Sequence, residues 1–575
     1  MNTVFYLASI IILFILFCVI KKKDKTIDII PSIIITFLCL LAYQVLVCIM
    51  FSSIKISINL ISLSITNTIF IIISLFILKN RGMQSFKTSK RDLLITCILI
   101  IVVSLISYYN VGKLERIRYY STDASIHYIS AKEFYQNENM LNKTEGTETA
   151  KQLMPIAYVN VGILFKAFEP VIGEMNFYKI FILFDIIILC FSIILFYYII
   201  KDNIEKKSNL LLAVIVSIIY IIGYPLNNFL NGFYYLGVGC LAISSIIYIL
   251  KQKEYNKIIT LFFLNTTLIL SYSLFAPVIY LSLFIYYIYV TYKAHKKIFN
   301  KELIINTIMT LIIPGMIGVL FLIIPNVETV KCISLEGYIY KNLIINIIVF
   351  IPFVIYSLYI IIKNKNIDYK FIYFSVLLTY IIILFIGVKT EIVSEYYFYK
   401  NAYILWEIIL IYFFEGIITF NKNHEKKNYI ANLYVFAYTI LLVISVITNK
   451  HILPVYDLYE ANYELLHYQA NLTKDDLEML EYIYNNDMIS KTENNILFIG
   501  NFMQEAWIRS IFKYRNRYPL EASNHREYVE KWNKGEYDYL VCFEERETYQ
   551  ILENSINLEG RTLTFETGNT KLYVK

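Results

Sequence analysis

Lysine clusters in every second gap between long apolar runs constrain this chain more than any other feature. They are KKKDK at 21–25, KNRGMQSFKTSKR at 79–91, KDNIEKK at 201–207, KQKEYNK at 251–257, KAHKK at 293–297, KNKN at 363–366 and NKNHEKK at 421–427. Loops on the cytoplasmic side of a bilayer collect Lys and Arg, so the clusters mark that side. The pattern predicts a chain that threads a membrane many times and carries its long polar pieces on the opposite face.

A hydrocarbon core about 30 Å thick takes about 20 apolar residues per helix, and about fourteen segments qualify on that scale. They are Val4–Ile20, Ile29–Met50, Ile58–Leu78, Leu93–Tyr109, Phe181–Ile200, Leu210–Ile222, Phe233–Leu250, Ile258–Leu270, Leu274–Val290, Leu303–Ile324, Leu343–Ile362, Phe371–Val388, Ala402–Phe420 and Tyr429–Ile447. Two of them, Leu210–Ile222 and Ile258–Leu270, are short enough to be kinked or re-entrant. Val4–Ile20 has no basic segment before it and no small-residue cleavage site after it, so it is expected to be a helix rather than a signal peptide. The even count places both termini outside. The predicted fold class is an α-helical polytopic membrane protein of about 14 transmembrane helices with a small C-terminal extracytoplasmic α/β domain. Residues 1–448 form the transmembrane part with a large outer loop at 110–179, and 449–575 form the outer domain.

Composition agrees: 58% of residues are hydrophobic and 17% charged, against about 25% charged in soluble domains. The formal charge of +7 resides in the inner loops and carries no implication of nucleic-acid binding. Cys18, Cys39, Cys48, Cys97, Cys190 and Cys240 fall in predicted helices, and only Cys332 and Cys542 reach the outer side, which gives neither a disulfide framework nor a metal-ligand spacing. Heavy use of Ile, Lys, Asn and Tyr is associated with AT-rich bacterial genomes. No internal repeat is visible, which counts against an inverted-repeat transporter.

The outer loop opens with VGKLERIRYYSTDASIHYISAKEFYQ. From Thr122 onward this predicts an amphipathic helix at the membrane surface, capped by Ser121 or Thr122 and carrying Ile126, Ile129 and Phe134 on its apolar side. A flexible polar stretch follows, and then MPIAYVNVGILFKAFEPVIG, too short and too broken by Pro155 and Pro170 to span. In the tail, Thr473 with Asp476 predicts a capped helix. NILFIG at 495–500 and YDYLVCF at 537–543 read as strands. FMQEAWIRSIFKYR reads as a helix with Phe502, Ala506 and Ile511 near one face, EERETYQILENS as another, and RTLTFET with KLYVK as a hairpin.

Residues able to carry chemistry gather on the outer half. Asp123 and His127 are four apart, about 6 Å on one helix face, a spacing suited to taking a proton from a hydroxyl or sharing a divalent cation. The segment VKTEIVSEYYFYKNAYILWE holds Lys389, Glu391, Glu395, Lys400 and Glu407 with Tyr396, Tyr397, Tyr399 and Tyr403. Its cations suit a phosphate and its aromatics a lipid or a sugar, although an aromatic belt with a snorkelling lysine has the same composition. Glu407 lies roughly 10 Å deeper than Lys400 by the helical rise. Asp185 is a second buried acid, and Glu415, nearer the inner end, is expected to be a structural partner. Pro225, Asn227, Asn228, Asn231, Tyr272 and Pro277 break helices at the outer ends, which is tolerated around a cavity or within protein.

The many-helix part, the loop motif YYSTDASIHYISAKEFY, the following PIAYVNVGILF and the C-terminal outer domain together resemble the GT-C superfamily of polytopic glycosyltransferases. The similarity covers most of the chain in outline and is specific around 119–165. It implies Asp123 as catalytic base, helped by His127, and a polyprenyl-phosphate sugar as donor. The acceptor would be an extracytoplasmic glycan, lipid or protein. Charge for the departing phosphate would come from Arg116, Arg118, Lys400 or a divalent cation such as Mg or Mn, with Lys389, Glu391, Glu395, Tyr397 and Glu407 in the substrate site. The chain departs from the pattern of many members in having one acid in the motif, between Thr122 and Ala124, and three helices before the one leading into the loop. A cell-envelope polysaccharide polymerase or ligase and a multi-pass transporter share parts of this outline, as does an inactive lipid-binding or scaffolding relative.

Overall fold

Apolar segments in a bilayer satisfy their backbone hydrogen bonds within the segment, so runs of this length fold as helices. The computed structural model describes residues 2–20, 27–140, 154–201, 208–252, 257–298, 300–324, 347–365, 367–424, 428–448, 466–488, 496–512 and 525–575. Twelve helices among them are long and apolar enough to cross a membrane, and two shorter apolar helices accompany them. The chain is a polytopic helical membrane protein.

Four helices precede the outer loop: α1 (Asn2–Val19), α2 (Ile29–Ser53), α3 (Leu60–Arg81) and α4 (Lys90–Val111). The loop contributes α5 (Asp123–Asn137) and α6 (Pro155–Ile172). Then come α7 (Phe177–Ile200), α8 (Ser208–Ile221), the short α9 (Tyr224–Asn231), α10 (Tyr234–Lys251), α11 (Lys257–Tyr272), α12 (Ala276–His295) and α13 (Lys301–Ile323). The series closes with α14 (Ile351–Lys363), α15 (Tyr369–Lys389), α16 (Glu395–Lys400), α17 (Ala402–Asn423) and α18 (Asn428–Thr448). Segment Leu210–Ile222 is itself a continuous helix: the chain breaks just after it, at Gly223, where α8 and α9 meet and Pro225 lies in the first turn of α9. Between α11 and α12 the chain turns where Tyr272 adopts φ −146° and ψ 82°, with a lysine cluster at the far end of each helix.

Two loop expectations need correction. α6 is continuous over 18 residues. Pro155 sits in its first turn, where no intrahelical hydrogen bond is lost, and Pro170 lies close to its C-terminal end. α5 begins where predicted but does not lie on a wet surface. Ser125, His127, Ser130, Lys132 and Glu133 are all buried, while Ile126, assigned to the apolar side, is 39% exposed. The polar stretch at 141–153 and Cys332 lie outside the described residues.

The tail supplies α19 (Lys474–Asn485), β1 (Ile496–Ile499), α20 (Phe502–Phe512), α21 (His525–Asn533), β2 (Tyr539–Phe543), α22 (Glu547–Leu552), β3 (Thr562–Thr567) and β4 (Thr570–Val574). The sheet order is β1-β2-β4-β3, parallel between β1 and β2 and antiparallel elsewhere. Alternation along β1 sends Ile496 and Phe498 into the core shared with the membrane helices, and Leu497 and Ile499 toward Trp532 and Leu540 on the opposite face. α20 buries Trp507, Ile508 and Ile511 and leaves Phe502 49% exposed, so its buried face is rotated from the expected one.

Two buried charge networks pin the ends of the molecule. At the lysine-marked end, Lys201 Nζ pairs with Asp28 at 2.9 Å and Asp92 at 3.2 Å, and Tyr197 donates to Asp92 Oδ1 at 2.9 Å. Glu415 pairs with Lys370, the structural role expected of it. In the tail, the capping box of Thr473 and Asp476 starts α19. The same Asp476 accepts from Gln504 Nε2 (3.2 Å), Arg546 Nη2 (3.2 Å) and Thr570 Oγ1 (2.9 Å). Removing one partner of a buried ion pair costs about 3–5 kcal/mol because the other charge is left unanswered. Asp476→Ala is therefore expected to lower the temperature at which the tail opens. Thermal labelling of Cys542, buried in β2, by a thiol-reactive dye reads this directly.

Candidate functional site

The site is assembled around the first turn of α5. Asp123 N–H donates to Ser121 Oγ at 3.1 Å, and the Thr122 carbonyl accepts from the N–H groups of Ser125 (3.0 Å) and Ile126 (3.2 Å). This start leaves the Asp123 carboxylate beside the positive end of the helix, where a negative charge is favoured. The turn is held from below by Gly232, between α9 and α10. Its φ of +71° suits glycine, and a Cβ there would lie 2.4 Å from the Ala124 Cβ.

From the other side the tail grips the same helix. Ser510 Oγ donates to the Ser125 carbonyl at 3.0 Å, and Lys132 Nζ donates to the Ile511 carbonyl and pairs with Glu174 at 2.8 Å. Trp507 stacks on Tyr119 with ring centroids 5.8 Å apart and leans on Tyr128 at 5.5 Å. The strand-like segment before α5 is paired with the tail through Ile117 and Leu472.

Lys400, at the end of α16, is 2% exposed. It does not snorkel. Its ammonium lies 4.5 Å from the Phe233 ring centroid, 5.1 Å from that of Tyr403 and 5.4 Å from that of Tyr396, an aromatic cage that attracts a cation. The cage is itself tied down: Tyr396 and Tyr272 share a hydroxyl hydrogen bond of 3.0 Å, and Tyr403 donates to Asn227 Oδ1 at 3.0 Å. Asp123 and Lys400 are within electrostatic reach of one another. Burial pushes the Asp123 carboxyl above the ordinary carboxylate range, and the Lys400 ammonium opposes that rise. The hydroxyls of Tyr235 and Tyr396 feel the Asp123 charge as well.

The other predicted residues are distributed unevenly. His127 shares the α5 face with Asp123, yet its ring is packed among aromatics, 4.5 Å from Tyr235 and edge-on to Tyr234 at 5.8 Å. Burial pushes its imidazole down to about 3, so it is neutral at ordinary pH. Arg116 donates to the backbone carbonyls of Asn110 and Tyr109, and Arg118 to that of Leu466. Both guanidinium groups thus brace the loop against itself and the tail. Lys389, Glu391 and Glu395 are exposed, and Tyr397 is half-buried. Glu407 is buried in the membrane part beside Ser244, below the cage. Asp185 faces Tyr119 and lines a small cavity with Asn228, Tyr234 and Tyr403, which places it on the underside of the same cluster.

Sequence reasoning passed over Phe233, Tyr234 and Tyr235, the triplet directly after the helix-breaking Asn231-Gly232, and Trp507. The triplet had a signal, an aromatic run at a broken outer helix end. Trp507 had none beyond a helical periodicity. Among the described residues no group of three His, Cys, Asp or Glu side chains is placed to hold a metal ion. The groups that interact with Asp123 are the Ser121 hydroxyl, the Lys400 ammonium and the hydroxyls of Tyr235 and Tyr396, a set without a second carboxylate that does not fit a hard divalent cation. Searched against family models, the chain matches none, and it matches no curated protein sequence.

His127 makes stability pH-dependent with a defined sign. Its ordinary value is about 6.5, so as pH falls below that the unfolded chain takes a proton that the folded chain refuses. Stability contributed by the neutral ring is complete above about pH 6.5 and drains away toward about pH 3. Melting of the purified protein across this window should show a steeper acid decline than the His127→Phe variant.

Proposed function

We propose that this chain is a membrane glycosyltransferase that moves a sugar from a polyprenyl-phosphate donor to a hydroxyl on an extracytoplasmic glycan, lipid or protein. The observation that carries the reading is the shared buried site of Asp123 and Lys400, a half-buried carboxylate and a caged ammonium across a tyrosine-lined interior. Glycosyl transfer needs those two charges: a base for the acceptor proton, and a cation where negative charge grows on the leaving phosphate. Asp123 takes the hydroxyl proton, the acceptor oxygen bonds to the anomeric carbon, and the carbon–oxygen bond to the lipid phosphate breaks with its electron pair leaving on the phosphate. Lys400 stabilises that phosphate, and the tyrosine hydroxyls orient sugar hydroxyls. His127, neutral and packed, acts as a wall rather than as a second base.

The lysine parity supports the topology that this chemistry requires. α4 leaves a basic cluster and α7 arrives at one, so α6 returns to the side from which it came, and fourteen crossings with both termini outside follow. In this arrangement α5, the cage and the tail sheet all lie on the outer face of the cell membrane, and a lipid-linked donor reaches the site laterally.

Transfer in membranes supplied with polyprenyl-phosphate sugars tests the reading at matched expression. Asp123→Asn is expected to lower the rate by about 10²–10⁴, the usual contribution of a general base. Lys400→Met is expected to lower it by about 10²–10³, the contribution of a preorganised charge stabiliser. Full activity in both variants overturns the assignment and turns attention to Glu391 and Glu395. A chain that transports without transferring would instead rely on the buried acids Asp185 and Glu407.

A further inference from the structure

Far from the outer site, α1, α2, α3 and α11 part to leave an apolar groove of about 230 Å³. Phe17, Ile77 and Phe263 are among its walls, with Thr36 and Ser74 inside it and Arg81 at its edge. Each of these residues lies within about three helical turns of a lysine cluster, so the groove belongs to the lysine-marked, cytoplasmic half of the molecule.

The packing explains why the helices separate there. In the other half, α1, α2 and α3 are clasped by polar bonds: Gln44 donates to the Tyr6 hydroxyl, Tyr43 to Asn67 Oδ1 at 3.1 Å, and Asn67 Nδ2 to Ser9 Oγ at 3.0 Å. Toward Arg81 the end of α1 is tied instead to the chain just past α3, where Gln84 N–H donates to the Val19 carbonyl at 2.8 Å, and the small side chains of Thr36 and Ser74 line the gap between. The Thr36 hydroxyl is buried and has no hydrogen-bond partner among the described residues. The mouth is basic. Asp28 and Asp92 at this end are both taken by Lys201, and Arg81 pairs with no carboxylate among the described residues.

We infer that the groove binds one acyl chain of an anionic phospholipid from the cytoplasmic leaflet, with the Arg81 guanidinium on the headgroup phosphate. An apolar space at membrane depth takes a hydrocarbon chain rather than water, and a basic side chain at the interface selects an anionic headgroup. The inference is independent of the proposed reaction and holds for a transferase or a transporter.

The test uses the full chain in phosphatidylglycerol–phosphatidylcholine vesicles, photolabelled with a phosphatidylglycerol that carries a diazirine on one acyl chain. Peptides of α3 and α11 are expected to take the label. Arg81→Gln should reduce it about fivefold, the loss for one basic side chain near an anionic surface. Ser74→Phe, which fills the groove, should abolish it, while labelling of α15, with its exposed Ile382 and Ile383, stays constant in both variants. Three results overturn the inference: equal labelling of α15 and the groove with no response to Ser74→Phe, which means boundary lipid only; equal labelling by a phosphatidylcholine probe; or displacement of the label by polyprenyl phosphate, which would make the groove a donor-tail site.

Discussion

The structure depends on one helix being buried although its sequence is polar. α5 carries Asp, Ser, His, Lys and Glu side chains into the space between the membrane helices and the tail. A polar group at such a boundary is tolerated only where something answers it. The Lys132 ammonium is answered by Glu174 and the Ile511 carbonyl, the Ser125 carbonyl by Ser510, and His127 by giving up its charge among aromatic rings. Asp123 is answered at a distance, by the field of Lys400. The proposed role of Asp123 as base rests on that incomplete compensation.

A long-range electrostatic partnership needs rigid backing, and small residues and aromatics supply it. Gly232 lets the α9–α10 turn approach α5 more closely than any Cβ would allow. Gly223 lies so near the Trp406 ring that a Cβ would be 2.7 Å from it, and Trp406 donates to the Tyr220 carbonyl at 3.2 Å. These two contacts set α5 and the α16–α17 segment against the same short helix, α9. The Tyr272–Tyr396 bond then fixes the cage from the α11–α12 turn. The tail takes part as well, since Trp507 on Tyr119 and Tyr128 closes the remaining side. It is a wall of the site rather than an appendage.

How much of this was legible in the chain follows from the range of the interactions concerned. Helices and strands rest on local periodicity, so the lysine-punctuated apolar runs, the Thr473–Asp476 cap and the β3–β4 hairpin could all be read directly. The break before Pro225 was legible for the same reason. The burial of α5 was not, because its cover comes from Ser510, 385 residues away in sequence, and amphipathicity alone cannot distinguish a wet polar face from one met by protein. Lys400 illustrates the same limit: a lysine amid tyrosines at a helix end has one composition whether it snorkels or is caged, and Phe233, one ring of the cage, lies at the start of a helix far away in sequence. Arg116 and Arg118 suited a phosphate by charge, but the fold spends their donors on backbone carbonyls. α6 was misjudged because Pro155 and Pro170 were counted as breaks without regard to where in a helix each would fall.

The central claim is that the Asp123 carboxylate and the Lys400 ammonium act on one another across a single site. Infrared difference titration of the Asp123 carboxyl, identified by its loss in Asp123→Asn, tests that claim in the wild-type chain and in Lys400→Met. Removing the cation leaves burial unopposed, so the account predicts that the carboxyl stays protonated to a higher pH in Lys400→Met than in the wild type. An unchanged titration would mean that the two groups do not share a site, and the assignment of base and phosphate-stabilising cation would fall together.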